Sequence, residues 1–480
     1  MTETEISVDL VILGTGIAGQ TAATTAAEEG LTVALLEKTG SRGGSSVMSG
    51  GWFAFSGTEE QATEGVQDSR ELFLRDLREV GENLNRPDLL EAYLDLQGGT
   101  YQWLKEHGVS FREISISSGQ SAKRSHLSAI KDVIAGLHRD FEAAGGTTYM
   151  EHRGHTLVRG QGGRVTGVVA TSPRGEVRFT ARGGVVLATG GFSRGTDMLK
   201  TFAPHQLRAI PYGGRGNTGD GLRMAWKLGA GMADMSFVSG TYGSHPETRE
   251  EFHELLTAYY MGAIIVNQDG ARFTDESQSY KTLGKDVLEQ PGGLGFEIFD
   301  ATVRDMSEPG VPLKDMDALE DLGHLLRADT LQELAEAAGI DAAALVRTVN
   351  DYNAAVAGLG TNDVGRTSLC NGVGELLPIE RAPFYAYPAK SLMTTTYCGV
   401  TVTPEGLVTD VDGAPIEGLH AVGEVTGGFH GAAYMTGTSL GKGAIFGRAI
   451  GLRIARELGS RTNPSGENEH TAQIPKEMAR

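Results

Sequence analysis

A glycine-rich turn near the start of the chain constrains the fold more than any other feature. The apolar run at residues 8–13 leads into the sequence Gly14-Thr15-Gly16-Ile17-Ala18-Gly19, and a helical pattern follows up to Gly30. A second apolar run at residues 31–37 ends in Glu37. A strand, a glycine turn, a helix and a second strand that ends in a carboxylate are typical of the βαβ unit that binds dinucleotides.

This turn is suited to a pyrophosphate group. Gly14, Gly16 and Gly19 permit a tight turn and a close approach of the backbone to the phosphates. The helix that begins near Ile17 offers free amide groups and the positive end of its dipole. Glu37 is expected to accept hydrogen bonds from ribose hydroxyls, and its charge disfavours a 2′-phosphate.

Composition narrows the partners of the chain. Its 480 residues suggest two or three domains, and a formal net charge of −19 argues against nucleic acid or an anionic membrane as the main partner. Its two cysteines, Cys370 and Cys398, provide neither a disulfide framework nor a four-cysteine iron–sulfur cluster, and no metal site is expected. The acidic N-terminus and the lack of a long apolar run predict a soluble cytoplasmic protein without a transmembrane segment.

The order of patterns along the chain predicts an α/β fold. Alternating segments at residues 154–158, 164–171 and 176–181 indicate a small antiparallel excursion from a parallel sheet, and residues 184–191 return to a buried strand. From residue 239 the chain carries more turns, which indicates an inserted α+β domain that caps the site. The predicted limits are 1–238 and 384–460 for the two parts of a Rossmann-like dinucleotide-binding domain, 239–383 for the insertion and 461–480 for a polar, disordered tail.

Further glycine-rich phrases recur in a specific order. They are Glu37-Lys38, Gly43-Gly44-Ser45-Ser46 with Ser49-Gly50-Gly51, Ala188-Thr189-Gly190-Gly191, Asn217-Thr218-Gly219-Asp220-Gly221, Gly423-Glu424-Val425-Thr426-Gly427-Gly428 and Ser439-Leu440-Gly441. In these phrases and their spacing, the chain resembles the flavoprotein family of fumarate reductase, succinate dehydrogenase and 3-ketosteroid dehydrogenase over nearly its whole length.

The resemblance implies FAD as the cofactor. By it, Ala188 and Thr189 lie against the adenine half, Asp220 and Glu424 hold hydroxyl groups, and the last helix faces the flavin. Family members with covalent flavin carry a histidine near Gly44, and its absence here predicts non-covalent FAD. The predicted FAD-binding residues are Gly14, Gly16, Ile17, Ala18, Gly19, Glu37, Lys38, Gly43, Gly44, Ser45, Ser49, Gly50, Gly51, Ala188, Thr189, Gly190, Asn217, Asp220, Gly423, Glu424, Thr438, Ser439 and Leu440.

The reaction site departs from the fumarate reductase pattern. Those enzymes use two arginines and two histidines to bind a dicarboxylate. One histidine is kept as His245, but Tyr280 stands at the position of the proton-shuttling arginine, and the second histidine is lost in the phrase at residues 395–399. The second arginine is also missing from the phrase at residues 433–441. A doubly charged substrate would therefore be held poorly.

The replacing residues are similar to those of 3-ketosteroid Δ4-dehydrogenases. These enzymes carry a Tyr-x-Ser-Gly-Thr-Ser-Leu-Gly phrase like that at residues 434–441, and a tyrosine where this chain has Tyr280. To desaturate a ketone, one group polarises the carbonyl, a base removes the α-proton, and the flavin takes the β-hydrogen as hydride. The resemblance predicts Tyr280, Tyr434 and Thr436 as catalytic residues, and His245, Gly437 and Tyr397 as substrate contacts. It leaves open which tyrosine does which task.

Three functions remain open at this point. The first is an FAD-dependent dehydrogenase of a cyclic ketone such as a 3-ketosteroid, or the reverse reduction, with a small-molecule substrate and an unknown electron acceptor. The second is a fumarate-reductase-like enzyme of an unsaturated carboxylate, which His245 supports and the missing arginines oppose. The third is a flavin-carrying electron-transfer subunit that acts only with a partner chain.

Overall fold

Two six-stranded sheets organise the chain, as seen in a computed structural model that describes residues 4–117, 119–248, 254–311, 313–370 and 372–462. The helices are α1 (Ile17–Glu28), α2 (Glu59–Thr63), α3 (Arg70–Val80), α4 (Pro87–Glu106), α5 (Ile130–Ala143), α6 (Thr196–Phe202), α7 (Asp220–Trp226), α8 (Tyr280–Leu288), α9 (Ala301–Arg304), α10 (Met316–Asp321), α11 (Leu331–Ala338), α12 (Ala342–Val356) and α13 (Thr438–Thr462). The strands are β1 (Thr4–Val8), β2 (Leu10–Leu13), β3 (Val33–Leu36), β4 (Trp52–Ala54), β5 (Ile114–Ser115), β6 (Ser125–Leu127), β7 (Thr147–Tyr149), β8 (Arg153–Arg159), β9 (Val165–Ser172), β10 (Gly175–Ala181), β11 (Val185–Leu187), β12 (Ile210–Pro211), β13 (Met232–Ala233), β14 (Val238–Ser244), β15 (Ile264–Val266), β16 (Gly295–Asp300), β17 (Leu326–Ala328), β18 (Phe384–Thr396), β19 (Gly399–Val400), β20 (Leu407–Thr409) and β21 (Pro415–Ala421).

The first sheet contains the predicted βαβ unit. Its strand order is β20-β21-β11-β2-β3-β7, and all strands but β20 run parallel. β2 and β3 are continuous apolar runs buried at every position, as expected for strands of a parallel sheet covered on both faces. The predicted α/β fold with a Rossmann-like parallel sheet is confirmed.

Helix α13 packs against α1 through small residues. A Cβ atom added at Gly443, Gly447 or Gly451 would lie 2.9, 2.6 or 2.9 Å from the nearest atoms of α1. These glycines therefore allow a close approach of the two helices, and Gly443 lies against Ile17, the first residue of α1. The last helix and the glycine turn thus begin side by side, although about 420 residues separate them along the chain.

The antiparallel excursion forms a sheet of its own. β8, β9 and β10 pair in antiparallel order, close to the three predicted segments. β1 joins this sheet, parallel to β10, and does not pair with the neighbouring β2. The chain then returns to the main sheet through β11, which lies beside β2.

The second six-stranded sheet is built around one long strand. β18, of 13 residues, pairs with β12, β14, β16 and β17. Because β12 and β18 lie outside the predicted insertion at residues 239–383, this sheet extends beyond those limits on both sides. The domain limits themselves stay a prediction.

The last residues of the chain and the character of its helices bear on two predictions. Residues 463–480, which make up most of the predicted disordered tail, lie outside the described residues, and 461–462 continue α13. Within the described ranges, each helix is too short or too polar to cross a lipid bilayer.

Candidate active site

The glycine turn between β2 and α1 leaves no room for side chains. Gly14 has a φ angle of +109°, and a Cβ atom there would lie 2.3 Å from the carbonyl oxygen of Ala188. A Cβ atom at Gly19 would lie 1.9 Å from the carbonyl oxygen of Gly14. Gly16 provides no side-chain cap for α1, and Ser46 Oγ accepts a hydrogen bond of 3.0 Å from the Ile17 amide. The amides of Ala18 and Gly19 in this first turn are then placed for a phosphate group.

Glu37 follows β3 beside this turn, but its carboxylate already has protein partners. Thr15 donates to it through its hydroxyl at 2.7 Å and its amide at 3.3 Å, and Thr39 donates through both groups at 2.9 Å. Four donors fill the four acceptor positions of a carboxylate. The predicted contact of Glu37 with a ribose stays a prediction, and it requires one of these donors to move.

Lys38 and Asp220 form an ion pair across the same region. Lys38 Nζ lies 2.8 Å from Asp220, and Arg153 binds the same carboxylate through two contacts of 2.9 Å. Burial raises the pKa of Asp220, but the hydrogen bonds from Arg153 and Lys38 outweigh burial and lower the pKa to about 2. Asp220 is therefore ionised and held at the start of α7.

A second polar group joins three of the predicted motifs. Asn217 Nδ2 donates to Ser45 Oγ at 3.2 Å and to Glu424 at 2.9 Å. Glu424 also accepts from the Thr396 amide at 2.9 Å and the Thr395 hydroxyl at 3.1 Å, at the end of β18. Asn217 Oδ1 is buried without a hydrogen-bond partner among the described atoms.

The remaining predicted cofactor residues lie next to these groups. A Cβ atom at Gly190 would lie 3.3 Å from Asn217, and one at Gly423 would lie 2.8 Å from Ala18. A Cβ atom at Gly221 would lie 2.2 Å from Thr189, and one at Gly214 would lie 2.6 Å from the Ser45 amide. Gly43, Gly44, Ser49, Gly50 and Gly51 belong to the same loop as Ser45, and Thr438, Ser439 and Leu440 form the first turn of α13. The uncapped helix, the orphan amide oxygen and the glycine-lined cradle fit a bound dinucleotide.

The loop that leads into α13 is fixed by contacts with β4 and its surroundings. Gly437 has a φ angle of +89°, and a Cβ atom there would lie 2.7 Å from the Ala54 amide. Its carbonyl oxygen accepts a hydrogen bond of 3.1 Å from Ala54, and Gln120 Nε2 donates to the Thr436 carbonyl at 3.0 Å. Only glycine fits position 437, and the loop holds Tyr434 and Thr436 in place.

Tyr280, the first residue of α8, meets this loop. Burial raises the pKa of Tyr280, and an interaction with the Thr436 hydroxyl opposes the rise. The pair does not reach full hydrogen-bond geometry, since Thr436 Oγ1 is buried without a partner among the described atoms. Burial, with a smaller effect of Tyr280, raises the pKa of Tyr434 far above its usual value. Both phenols are therefore protonated at neutral pH in the protein alone.

Lys281, which the sequence patterns did not single out, lies close to both phenol rings. Its Nζ is 3.6 Å from the ring centre of Tyr434 and 5.7 Å from that of Tyr280. It donates a hydrogen bond of 2.6 Å to the Tyr434 carbonyl oxygen, and burial lowers its pKa to about 7. A charged residue directly after a predicted catalytic residue was the available signal. We call Tyr280, Lys281, Tyr434 and Thr436 the tyrosine–lysine cluster.

The rings of Tyr397 and His430 pack against Tyr434 of this cluster. The Tyr397 ring centre lies 5.2 Å from that of Tyr434, and the His430 ring centre lies 5.8 Å from it. Only 1% of the Tyr397 surface is exposed, and its predicted substrate contact stays a prediction. Burial, together with Lys442 and Lys281, lowers the pKa of His430 well below its usual value, which keeps its ring neutral.

His245 lies in a different environment. Its ring packs against His324, with ring centres 3.7 Å apart, and against Tyr387 at 5.8 Å. Burial and the neighbouring His324 lower the pKa of His245 to about 4. Across the described residues, no ring contact joins His245 to Tyr280 or Tyr434, and its role in substrate binding stays a prediction.

Comparisons with known proteins agree with the predicted family. The family model described as FAD binding domain matches residues 9–440. The NADH:fumarate oxidoreductase of Klebsiella pneumoniae is 30% identical over 457 residues, with 94% of this chain and 48% of that protein covered. The chain thus spans about half the length of this relative. The urocanate reductase of Eggerthella lenta is 31% identical over 464 residues, with 93% of this chain and 74% of that protein covered.

A solved structure is also similar along nearly the whole chain. The 3-ketosteroid-Δ4-(5α)-dehydrogenase of Rhodococcus jostii, in complex with 4-androstene-3,17-dione, matches with a TM-score of 0.77 and 26% identity. The match covers 95% of this chain and 98% of that one. With the geometry above, these findings identify FAD as the cofactor. The chain belongs to the FAD binding domain family and is an FAD-dependent oxidoreductase related to the fumarate reductases.

Proposed function

We propose that this protein catalyses the α,β-dehydrogenation of a cyclic ketone, or the reverse reduction. The observation that carries the proposal is the meeting of Tyr280 and Tyr434 beside Thr436, at the start of the helix predicted to face the flavin. A phenol donates a hydrogen bond to a neutral carbonyl oxygen, whereas the guanidinium group of an arginine pairs with a carboxylate. The similarity to a ketosteroid dehydrogenase structure supports the same substrate class.

The two phenols divide two tasks in the proposed reaction. One donates a hydrogen bond to the substrate carbonyl oxygen, which makes the neighbouring α-proton more acidic, and the other accepts that proton. When bound, FAD supplies the acceptor for the hydrogen and electron pair that leave the β-carbon. Because burial raises the pKa of both phenols, the proton acceptor needs local help to ionise. The Thr436 hydroxyl opposes the rise in the pKa of Tyr280. We infer that the Lys281 ammonium, 3.6 Å from the Tyr434 ring centre, favours the ionised form of Tyr434.

A second candidate is a reductase of an unsaturated carboxylate. The two relatives named above carry fumarate and urocanate in their names, and Lys281 supplies one cation near the phenols. A single lysine does not replace the two arginines of a dicarboxylate clamp, so this candidate fits a monocarboxylate better than fumarate.

An anaerobic flavin titration tests the proposal. The FAD-loaded protein is mixed with cyclohexanone or a saturated 3-ketosteroid, and the absorbance of oxidised flavin is followed. A working ketone dehydrogenase loses this absorbance in proportion to added ketone and forms the enone. If the oxidised flavin persists with all ketones, while dithionite-reduced flavin is reoxidised by an enoic acid, the second candidate replaces the first.

A further inference from the structure

Lys281 is a buried cation without a counter-charge among the residues that the structure describes. It lies deep in the protein at the second position of α8 and keeps some accessible surface. Along the described chain, no carboxylate comes within ion-pairing distance of its Nζ, and burial alone accounts for its altered pKa. An ammonium group has three donors, and one of them is used by the Tyr434 carbonyl.

Two other lysines of the site region have carboxylates nearby. Lys38 pairs with Asp220 at 2.8 Å. Lys442 is buried too, and burial lowers its pKa, but the carboxylates of Glu424 and Asp234 partly offset this effect. It also donates a hydrogen bond of 3.0 Å to the Thr426 carbonyl. A buried charge without a counter-charge is costly to the fold, so a protein that keeps one commonly uses it for a ligand.

We propose that Lys281 binds an anionic oxygen of the substrate, so that one lysine takes the place of the missing arginines. This inference rests on the proposed function. The oxygen has one of two sources, the enolate that forms when a ketone loses its α-proton, or a carboxylate carried by a keto acid. Either anion would meet the Nζ donors that are not bonded to the Tyr434 carbonyl, close to the rings of Tyr280 and Tyr434.

The charge state of Lys281 gives the proposal a pH signature. The titratable groups that face it are Tyr280, Tyr434 and His430, and burial keeps the phenols protonated and the imidazole neutral near pH 7. Lys281, with a pKa of about 7, is therefore the group among them that changes charge. Since the ammonium is the binding form, anion binding weakens as the pH rises above about 7.

Three variants separate the effect of the Lys281 charge from an effect on folding. Lys281→Gln removes the charge but keeps an N–H donor for the Tyr434 carbonyl, and Lys281→Arg keeps the charge at every pH tested. Lys285→Met, on the exposed side of the same helix, is the matched control. FAD content and thermal unfolding of each variant confirm that it folds, and Lys281→Met serves as a second uncharged variant if Lys281→Gln does not.

Two measurements distinguish the sources of the anion. The first is calorimetric binding of cyclohexanecarboxylate, which cannot act as a ketone, to the oxidised FAD-loaded protein. The second is steady-state turnover of 4-methylcyclohexanone and 4-oxocyclohexanecarboxylate. A carboxylate source predicts that Lys281→Gln weakens binding of the acid about 10- to 100-fold and raises KM for the keto acid alone. An enolate source predicts a similar loss of kcat for both ketones, recovered in Lys281→Arg with activity extended to higher pH.

The outcomes also separate this inference from the proposed function. If neither ketone is oxidised by the wild type, the proposed function fails, while the binding experiment with cyclohexanecarboxylate still tests Lys281. If Lys281→Gln and Lys285→Met match the wild type in acid binding, kcat and pH profile, Lys281 binds no anion and the inference is overturned.

Discussion

The cofactor region and the tyrosine–lysine cluster treat buried polar groups in opposite ways. In the cofactor region, Glu37 has four donors and Asp220 pairs with Lys38 and Arg153. In the cluster, Lys281 lacks a counter-charge and Thr436 Oγ1 lacks a hydrogen-bond partner within the described residues. Apart from the Asn217 amide oxygen, the first arrangement is complete as a protein structure among the described residues, whereas we propose that a substrate completes the second. Changes in the first should therefore affect FAD and stability, and changes in the second should affect turnover.

The largest effect is expected in the cofactor region, for Gly19→Ala. The added methyl group would lie 1.9 Å from the Gly14 carbonyl oxygen, so the turn must open. We expect loss of bound FAD and a decrease of about 3 kcal/mol in the free energy of unfolding. Gly40→Ala is the control, because nothing lies within 4 Å of a Cβ atom there. The ratio of flavin to protein absorbance after purification and a denaturant titration measure both effects, and an unchanged FAD content would contradict the prediction.

The next largest effect belongs to the cluster, for Tyr434→Phe and Tyr280→Phe. Each removes one hydroxyl that we propose for proton transfer or carbonyl binding, so kcat should fall about 100-fold or more. FAD content and unfolding should stay as in the wild type. The control is Tyr385→Phe, whose ring stacks on Phe299 in the second sheet. A phenylalanine variant of either tyrosine with wild-type turnover would remove that residue from the mechanism.

A smaller effect is expected for Asp220→Asn in the cofactor region. Loss of the carboxylate weakens the contacts with Lys38 and Arg153, and the free energy of unfolding at neutral pH should fall by about 2 kcal/mol. The folded pKa of Asp220 is depressed, from 3.8 to about 2, so its contribution is present above pH 3.8 and is lost as the pH falls towards 2. Urea titrations of both proteins at several pH values check this. A difference that persists unchanged at the lowest pH would contradict it.

The sequence predicted the parts of the fold that depend on local patterns and not those that depend on contacts between distant residues. The βαβ unit and the antiparallel segments are local patterns of apolar and polar residues, and they were found. The pairing of β1 with β10, and of β18 with β12 before the predicted insertion and with β16 inside it, joins residues distant in sequence, and no local pattern reports it. Lys281 was missed for a related reason. Its identity was visible, but its burial and lack of a counter-charge depend on elements that meet only in the fold.

The smallest effect is expected for Thr436→Val, which should lower turnover without lowering stability. Valine replaces the hydroxyl by a methyl group of similar size, and that hydroxyl lacks a partner among the described atoms. Removing an unsatisfied buried hydroxyl costs the fold nothing, so stability should stay constant or rise by less than about 1 kcal/mol. The same change removes the interaction that opposes the raised pKa of Tyr280, so turnover should fall about 3- to 10-fold, least at high pH. A pH–rate profile and a thermal unfolding curve of the variant and the wild type measure the two effects. If instead the variant loses stability and keeps its turnover, Thr436 is a structural residue and the division between the two regions does not hold there.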